Sequence, residues 1–286
     1  MPELPEVETI RLQLNSVLTG LKITGVQVLT AKSFQGKQSE IIGKKIIQVF
    51  RRAKITIIQL ESNIFFAIHL KLTGQLIYRE RNEKGSKYCE QKDGPFAVCR
   101  LPNKYTRVII SFNNGGKLYF NDLRIFGWIK TLKSLSELSV KNFGPEADDE
   151  KTFSLGYFKK ILGKSGKPVK LVIMDQEKLA GIGNIYANEA LFAARILPTR
   201  KADSLSDKEI SKLRLSIIKV LKDAIKHKGS SDKDEAYRQA SGEKGTHQDY
   251  LQVYGKTGRK CTSCKGLIKR ITVGGRGTFY CPSCQK

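Results

Sequence analysis

A chain of 286 residues with 40% hydrophobic and 27% charged residues has room for two globular domains and a small third, and its composition excludes a disordered polymer. Lys and Arg total 51 against 27 Asp and Glu, a formal charge of +24, which points to a polyanionic partner: nucleic acid ahead of a ribosomal surface or an anionic membrane. No run approaches the ~18 apolar residues of a membrane span, and the acidic start has no signal-peptide core, so a cytoplasmic protein without membrane association is expected.

The opening MPELPEVETI crowds two prolines and three acids into eight residues. Val7, Ile10, Leu14 and Val17 then fall at helical spacing, predicting a helix from Pro5 to Leu18 with Glu6 and Glu8 at its positive end. The period next shortens. KITGVQVL, KKIIQVFRRAKITIIQL, NIFFAIHLKLTGQLIY, FAVCRL, RVIISF and KLYFNDLRIFGWI read as strands, with NNGG at 113–116 as a hairpin turn, predicting a β-sandwich or barrel that ends near Lys130. The turn-rich FGPEADDE marks the following boundary.

Beyond it come helical patterns in SLGYFKKIL, in NIYANEALFAARI and in LSDKEISKLRLSIIKVLKDAIKHKG. In the last, Ser206 and Glu209 form a capping box and Gly229 closes the helix. The polar stretch 229–249 has no period and reads as a mobile surface loop. The tail from Tyr250 to Lys286 carries eight Lys/Arg and no acid. The expected architecture is a multi-domain α+β protein: a β-sandwich with a leading helix over 1–135, a helical domain over 136–248, and a zinc-finger hairpin over 249–286.

Cys261-x2-Cys264 and Cys281-x2-Cys284 present two thiolate pairs that complete a tetrahedron around one structural Zn2+; an iron–sulfur site or two redox pairs are the alternatives. Between the knuckles lies GLIKRITVGGRGTFY, with Arg276 near its tip between Gly275 and Gly277. Cys89 and Cys99 read as ordinary free thiols. Other residues stay open between chemistry and structure. Lys54 sits inside an alternating strand pattern, and His69 lies beside an apolar run. GIGNIYANE offers backbone N–H groups and the Asn184 amide to a phosphate, or is simply a helix–turn–helix corner. In DLRIFG, Arg124 and Phe126 share one face of an extended segment, as needed to fill a gap in a base stack or to pack a sheet.

Taken in order, PELPEVET (2–9), RRAK (51–54), HLKLTG (69–74), DLRIFG (122–127), GIGNIYANE (181–189), LQVYG (251–255) and the zinc hairpin ending GRGTFYC resemble the bacterial formamidopyrimidine-DNA glycosylases, a base-excision repair family that includes the endonuclease VIII group. The resemblance runs nearly end to end. It implies a helix-two-turn-helix fold for the helical domain. It also implies a DNA glycosylase and abasic-site lyase that excises oxidised purines such as 8-oxoguanine and formamidopyrimidines, working as a monomer on double-stranded DNA at the nucleoid. Pro2 is then the amine nucleophile once Met1 is removed, Glu3 its general acid/base, and Lys54 and Arg276 the groups serving β- and δ-elimination. Glu6 and Glu189 match acids lining the site. Leu72, Arg124 and Phe126 match the residues that fill the void left by a flipped base, while His69, Tyr105, Lys164, Lys170 and Asn184 match DNA-contacting positions.

The chain departs from the family at Leu72, where Met is common, at Tyr105, where many relatives have His, and in 229–249, which closes over the flipped base in relatives but here reads GSSDKDEAY in place of Gly-Gly-Thr-Thr. Two other functions remain in view: an endonuclease VIII-type enzyme for oxidised pyrimidines, and a non-catalytic zinc-containing protein that binds damaged DNA.

Overall fold

The computed structural model describes residues 1–81, 96–138, 142–231 and 236–286. They form two compact units: Met1–Lys141 with His227–Gln248, and Asn142–Lys226 with Asp249–Lys286.

In the first unit, α1 spans Leu4–Leu18 and buries Leu4, Val7, Ile10, Leu14 and Leu18. Val17, expected on this face, is 37% exposed, because the stripe advances from Leu14 by four residues to Leu18 rather than by three. Nine strands follow: β1 Ile23–Val28, β2 Phe34–Gln35, β3 Ile46–Arg52, β4 Ile55–Leu60, β5 Ile64–His69, β6 Gly74–Arg79, β7 Thr106–Phe112, β8 Lys117–Asp122 and β9 Trp128–Leu132. They pair as one sheet in the order β1-β7-β8-β6 and another in the order β2-β9-β5-β4-β3. Leu76, Val108, Leu118 and Phe120 of the first sheet share a core with Val49, Ile58, Phe66, Ile68 and Ile129 of the second, which makes the unit a β-sandwich; Ile10, Leu14 and Leu18 of α1 join that core. Burial of each large side chain in it contributes about 1.5–3 kcal/mol.

Local chemistry sets the turns. NNGG links β7 to β8, with Gly115 at φ 82°. β3 and β4 are joined by Ala53 and Lys54 alone, and Ala53 takes φ 51°. Lys54 therefore occupies a hairpin turn, not the strand interior that the alternating pattern suggests. FAVCRL is not a strand. Its carbonyls are taken by side chains instead: Asn103 Nδ2 donates to Ala97 O at 3.0 Å and an Arg79 guanidinium N–H to Val98 O at 3.2 Å. Cys99, expected as a free thiol, is disulfide-bonded; Cys89 lies outside the described residues.

The stretch expected as a mobile surface loop of the helical domain belongs instead to the sandwich unit, and Ser230, Ser231 and 236–240 are buried. Its described residues form no strand and only a 3-10 turn from His247, so the backbone takes partners from its surroundings. Ser230 N donates to Glu6 Oε1 at 2.7 Å, Ala240 N to Gln13 Oε1 at 2.8 Å, and Tyr78 N donates to Ala240 O at 2.9 Å. Gln75 Nε2 donates to Ala236 O at 2.9 Å. Tyr237 and Ala240 enter the sandwich core itself. Polar composition hides this, because hydrogen bonds rather than apolar periodicity do the anchoring.

The second unit holds α2 Leu155–Gly163, α3 Val169–Met174, α4 Asn184–Ala194, α5 Asp207–Lys226, and a two-stranded hairpin of β10 Lys269–Val273 and β11 Arg276–Tyr280. α5 starts as expected: Ser206 N donates to Glu209 Oε2 at 2.8 Å, and Ile210, Leu213, Ile217 and Leu221 are buried. α3 has no counterpart in the sequence reading; its six residues are too few to show a period.

Gly229 has φ 75°, and a Cβ there would stand 2.8 Å from Glu6 Oε1. Gly229→Ala is expected to cost about 1–2 kcal/mol from the left-handed backbone and the displaced carboxylate. Urea unfolding of the two proteins checks it; equal midpoints would remove Gly229 from this role.

Candidate catalytic and nucleic-acid-binding residues

The N-terminal segment forms the first part of the site. Pro2 and Glu3 are buried, Glu3 being 3% exposed at the N-cap of α1. The cap is held from both sides: Val7 N donates to Glu3 O at 3.1 Å, and Glu3 N donates to Glu6 Oε2 at 2.8 Å. Glu6, 1% exposed, spends its other oxygen on Ser230 N. One carboxylate thus fixes both the backbone of Glu3 and the segment 229–231. The expected nucleophile and proton partner, Pro2 and Glu3, stand two and one residues before the first helical turn, where the dipole favours negative charge. Arg51 Nε donates to Glu8 Oε2 at 2.9 Å and its NH1 to Ala53 O at 3.0 Å, tying the turn that carries Lys54 to the same helix.

Lys54 is 7% exposed, and its charge reaches His69, whose partner in the β4–β5 ladder is Ile55. Burial first, then Lys71 and Lys54, push the His69 imidazole down to about 3. Nδ1 of this neutral ring accepts Lys71 N at 2.9 Å, which leaves the proton on Nε2. His69 is therefore a hydrogen-bond donor without charge.

The void-filling candidates lie on two turns. Leu72, half-buried, belongs to the turn between β5 and β6, where Lys71 has φ 53°. Arg124 and Phe126 lie after β8 and are exposed, Phe126 by 48%. The segment is not extended: Ile125 at φ 55° reverses it, and the Arg124 guanidinium stacks 4.8 Å from the Phe126 ring centroid. Side chains two apart meet here through a turn rather than through a strand pleat. The residue that builds this arrangement is Asp122, which sequence reasoning missed. It is 1% exposed. Its Oδ1 accepts the Thr73 hydroxyl, from the Leu72 turn, and Arg124 N at 3.2 Å; its Oδ2 accepts Gly127 N at 2.7 Å. Its own N–H donates to Tyr105 O at 2.9 Å. The available signal was an acid at a strand end two residues before Arg124, the ordinary pattern of an Asx turn. Tyr105 is half-buried, with Lys104 Nζ 5.2 Å from its ring centroid.

In the second unit the four Cys Sγ atoms lie within 4.8 Å of one another, with Cys261–Cys284 at 3.8 Å and Cys264–Cys281 at 3.4 Å. Four sulfurs about 2.3 Å from a tetrahedral Zn2+ would stand about 3.8 Å apart, so the cluster fits that ion. Gly274 and Gly275, both at positive φ, make the two-residue turn between β10 and β11, and Arg276 opens β11 with its side chain exposed.

Two expected site residues of the second unit are, like Pro2, Glu3, Glu6 and Lys54 of the first, buried. Lys170 is 0% exposed; Nζ donates to Thr278 Oγ1 at 2.7 Å and Gly277 O at 3.2 Å, the residues that follow Arg276. Glu189 is 5% exposed. Its carboxylate accepts Gln252 N at 2.8 Å, Val253 N at 3.0 Å and Tyr254 N at 2.8 Å, fastening the segment that leads to the zinc hairpin. Burial pushes this carboxyl up, against the three N–H groups that favour its anion. Asn184 Nδ2 donates to Gly277 O at 3.1 Å, so its amide also serves the hairpin. Lys164, at the C-cap of α2, is exposed.

The chain thus combines a β-sandwich led by a helix with a buried acid cap and a helical unit carrying a four-thiolate hairpin. Family models match the chain in three blocks: the formamidopyrimidine-DNA glycosylase N-terminal domain over 1–129, its H2TH domain over 143–235, and the zinc finger found in FPG and IleRS over 258–286. Formamidopyrimidine-DNA glycosylases of Pelotomaculum thermopropionicum and Streptococcus mutans are 38% and 37% identical to it, over 100% of this chain and 99% and 100% of theirs. Among solved structures, a complex of Lactococcus lactis Fpg with abasic-site DNA superposes with TM-score 0.85 at 33% identity, covering 99% of both chains. Thermus thermophilus MutM does so with TM-score 0.85 at 33% identity, covering 99% of this chain and 98% of its own. The chain belongs to the formamidopyrimidine-DNA glycosylase family, and its C-terminal hairpin is a zinc-binding finger. Among the described residues no helix is long and apolar enough to cross a membrane.

Asp122→Ala would leave the Gly127 N–H and the Thr73 hydroxyl without their Asp122 acceptor, while the Arg124 N–H keeps Thr73 Oγ1 at 3.1 Å. About 2–3 kcal/mol of stability should be lost, together with affinity for gapped or abasic DNA, as read by thermal unfolding and fluorescence anisotropy. For His69 the sign is set by the lowered value. As pH falls from 6.5 towards 3, the unfolded chain takes up a proton that the folded ring refuses, so stability falls with pH in that window. NMR of the ring protons should show His69 neutral at pH 5, and His69→Gln should flatten the pH dependence.

Proposed function

We propose that the chain is a bifunctional DNA glycosylase and abasic-site lyase of base-excision repair, acting on oxidised purines in double-stranded DNA. The observation that carries this reading is the buried N-terminal cap: a proline at position 2 beside an acid whose backbone is locked by Glu6. As translated, the Pro2 nitrogen is a peptide nitrogen and not a nucleophile. Once Met1 is cleaved it is a secondary α-amine, and such amines titrate near ~7.7–8.0, so a useful fraction is unprotonated at neutral pH, unlike a lysine near ~10.4.

The amine attacks C1′ of the deoxyribose of a flipped-out lesion. The glycosidic bond breaks, the base leaves with the bonding electrons and takes a proton, and an iminium joins Pro2 to the opened sugar. Glu3 supplies the proton to the ring oxygen. The iminium acidifies C2′–H; loss of one C2′ proton expels the 3′ phosphate by β-elimination and leaves a conjugated C2′=C3′ alkene, and loss of the C4′ proton, acidified through that alkene, expels the 5′ phosphate by δ-elimination. Lys54 serves the first elimination and Arg276 the second. Leu72, Arg124 and Phe126 occupy the gap, and His69, Tyr105, Lys164 and Asn184 contact the backbone. One structural zinc ion holds the finger; with all four positions taken by thiolates, it has none open for substrate. The protein works as a monomer in the cytoplasm, at the nucleoid.

Relatives support the substrate class. Lactococcus lactis Fpg, at 33% identity, has been solved in complex with DNA containing N7-benzyl-Fapy-dG. The same relative has also been solved with DNA containing an oxidised pyrimidine, which gives the second reading, excision of oxidised pyrimidines, a specific basis. Duplexes each carrying one lesion separate the two.

Intact mass of the purified protein should lack Met1. Borohydride should trap wild type on lesion DNA, while Pro2→Gly should lose most of the adduct. Glu3→Gln should lower base release by at least about a hundredfold, the range for a positioned proton donor. Full base release by Glu3→Gln would instead favour a protein that binds damage without cutting it.

A further inference from the structure

The face of α1 that holds Glu6 also holds Gln13, seven residues or two turns on, about 10 Å along the axis. Gln13 makes a second contact with the segment that Glu6 binds. Its Oε1 accepts Ala240 N at 2.8 Å, and its Nε2 donates to Gln239 Oε1 at 2.7 Å. Gln239 is 3% exposed and passes the chain of bonds on, Nε2 donating to Lys244 O at 2.8 Å, while Gln239 N donates to Glu243 O at 2.9 Å. Ala240 O in turn accepts Tyr78 N, on β6. The segment is therefore moored at two points on a single helix, Ser230 to Glu6 and Gln239–Ala240 to Gln13, and that helix begins at Pro2 and Glu3. A rigid body links the amine and the moorings.

We propose that Gln13 is a positioning residue for base excision: it sets the register of Gln239 and Ala240 on α1 and so fixes where a flipped base is held relative to the N-terminal amine. The inference rests on reading 229–248 as the segment that closes over the base. Its physical basis is the amide's dual character. Only a side chain that both donates and accepts satisfies Gln239 Oε1 and Ala240 N together, and both of those groups are in a buried stretch where water does not replace a lost partner. A purely apolar contact would hold the segment to the helix without fixing its position along it. The two substrates of the enzyme differ in their need for this register. An intact lesion presents a base whose glycosidic bond must be aimed at the amine; an abasic site has no base to hold.

The test compares single-turnover base release from a duplex carrying one formamidopyrimidine with cleavage of a duplex carrying a preformed abasic site. Wild type, Gln13→Leu, Gln13→Ala and Leu12→Ala are measured with both, Leu12 being a 46% exposed neighbour on the same helix. Both Gln13 variants should lose about tenfold or more in the rate of base release at saturating DNA, with abasic-site cleavage within about twofold of wild type, as expected for misplacement of one reactant group. Leu12→Ala should match wild type on both, and the Ala240 amide should exchange hydrogen faster in the Gln13 variants. Equal losses on the two substrates, loss of abasic-site cleavage in both Gln13 variants, or no loss at all would overturn the proposal. A wild-type protein that cleaves abasic sites but releases no damaged base would instead overturn the reading of 229–248 on which it rests.

Discussion

Irregular chain segments in this protein are held by buried carboxylates that collect backbone N–H groups. Glu6 accepts from Glu3 and Ser230, Asp122 from Arg124 and Gly127, and Glu189 from Gln252, Val253 and Tyr254. Each serves a stretch without helix or strand, where backbone donors would otherwise be stranded away from water. A carboxyl group offers two oxygens with about four lone-pair sites, so one side chain can fix several residues at once. In a chain of net charge +24, these three acids are spent inside, and they decide where the functional side chains stand.

The consequence for chemistry is a division of labour. The surface is left to cations that meet phosphates, while the interior acids build rigid mounts: the N-terminal cap under Pro2 and Glu3, the paired turns under Leu72, Arg124 and Phe126, and the fastening beside the zinc finger. Lys170 follows the same logic with the charge reversed. Fully buried, its ammonium holds Gly277 O and Thr278 and so steadies the strand that begins at Arg276. The lysine resembles a DNA contact in sequence and acts on the hairpin in structure. His69 is likewise altered by its surroundings, its proton refused by burial and two neighbouring lysines, so its ring is a hydrogen-bond donor without charge.

Much was legible along the chain because it depends on neighbours in sequence. The α1 helix, the NNGG hairpin, the Ser206–Glu209 cap of α5 and the cysteine pairs each rest on residues within a few positions of one another. Where partners are far apart, the reading failed. FAVCRL has strand composition, yet Arg79 and Asn103 take its carbonyls. The polar stretch 229–249 has loop composition, yet Gln13, Gln75 and Tyr78 draw it into the sandwich unit. Glu189 carries an acid's signature for a reactive cleft, and three distant N–H groups claim it.

Sequence alone determined the chemical inventory: a proline at position 2, an acid beside it, four thiolates at zinc spacing, and a charge suited to a polyanion. These are properties of residue type and local spacing, which no fold can alter. Tertiary structure decided which polar groups are available to a substrate and which are consumed in holding the protein together. That assignment depends on burial and on hydrogen-bond partners more than two hundred residues apart, as with Glu6 and Ser230 or Gln13 and Ala240, and neither is written in any local stretch of the chain.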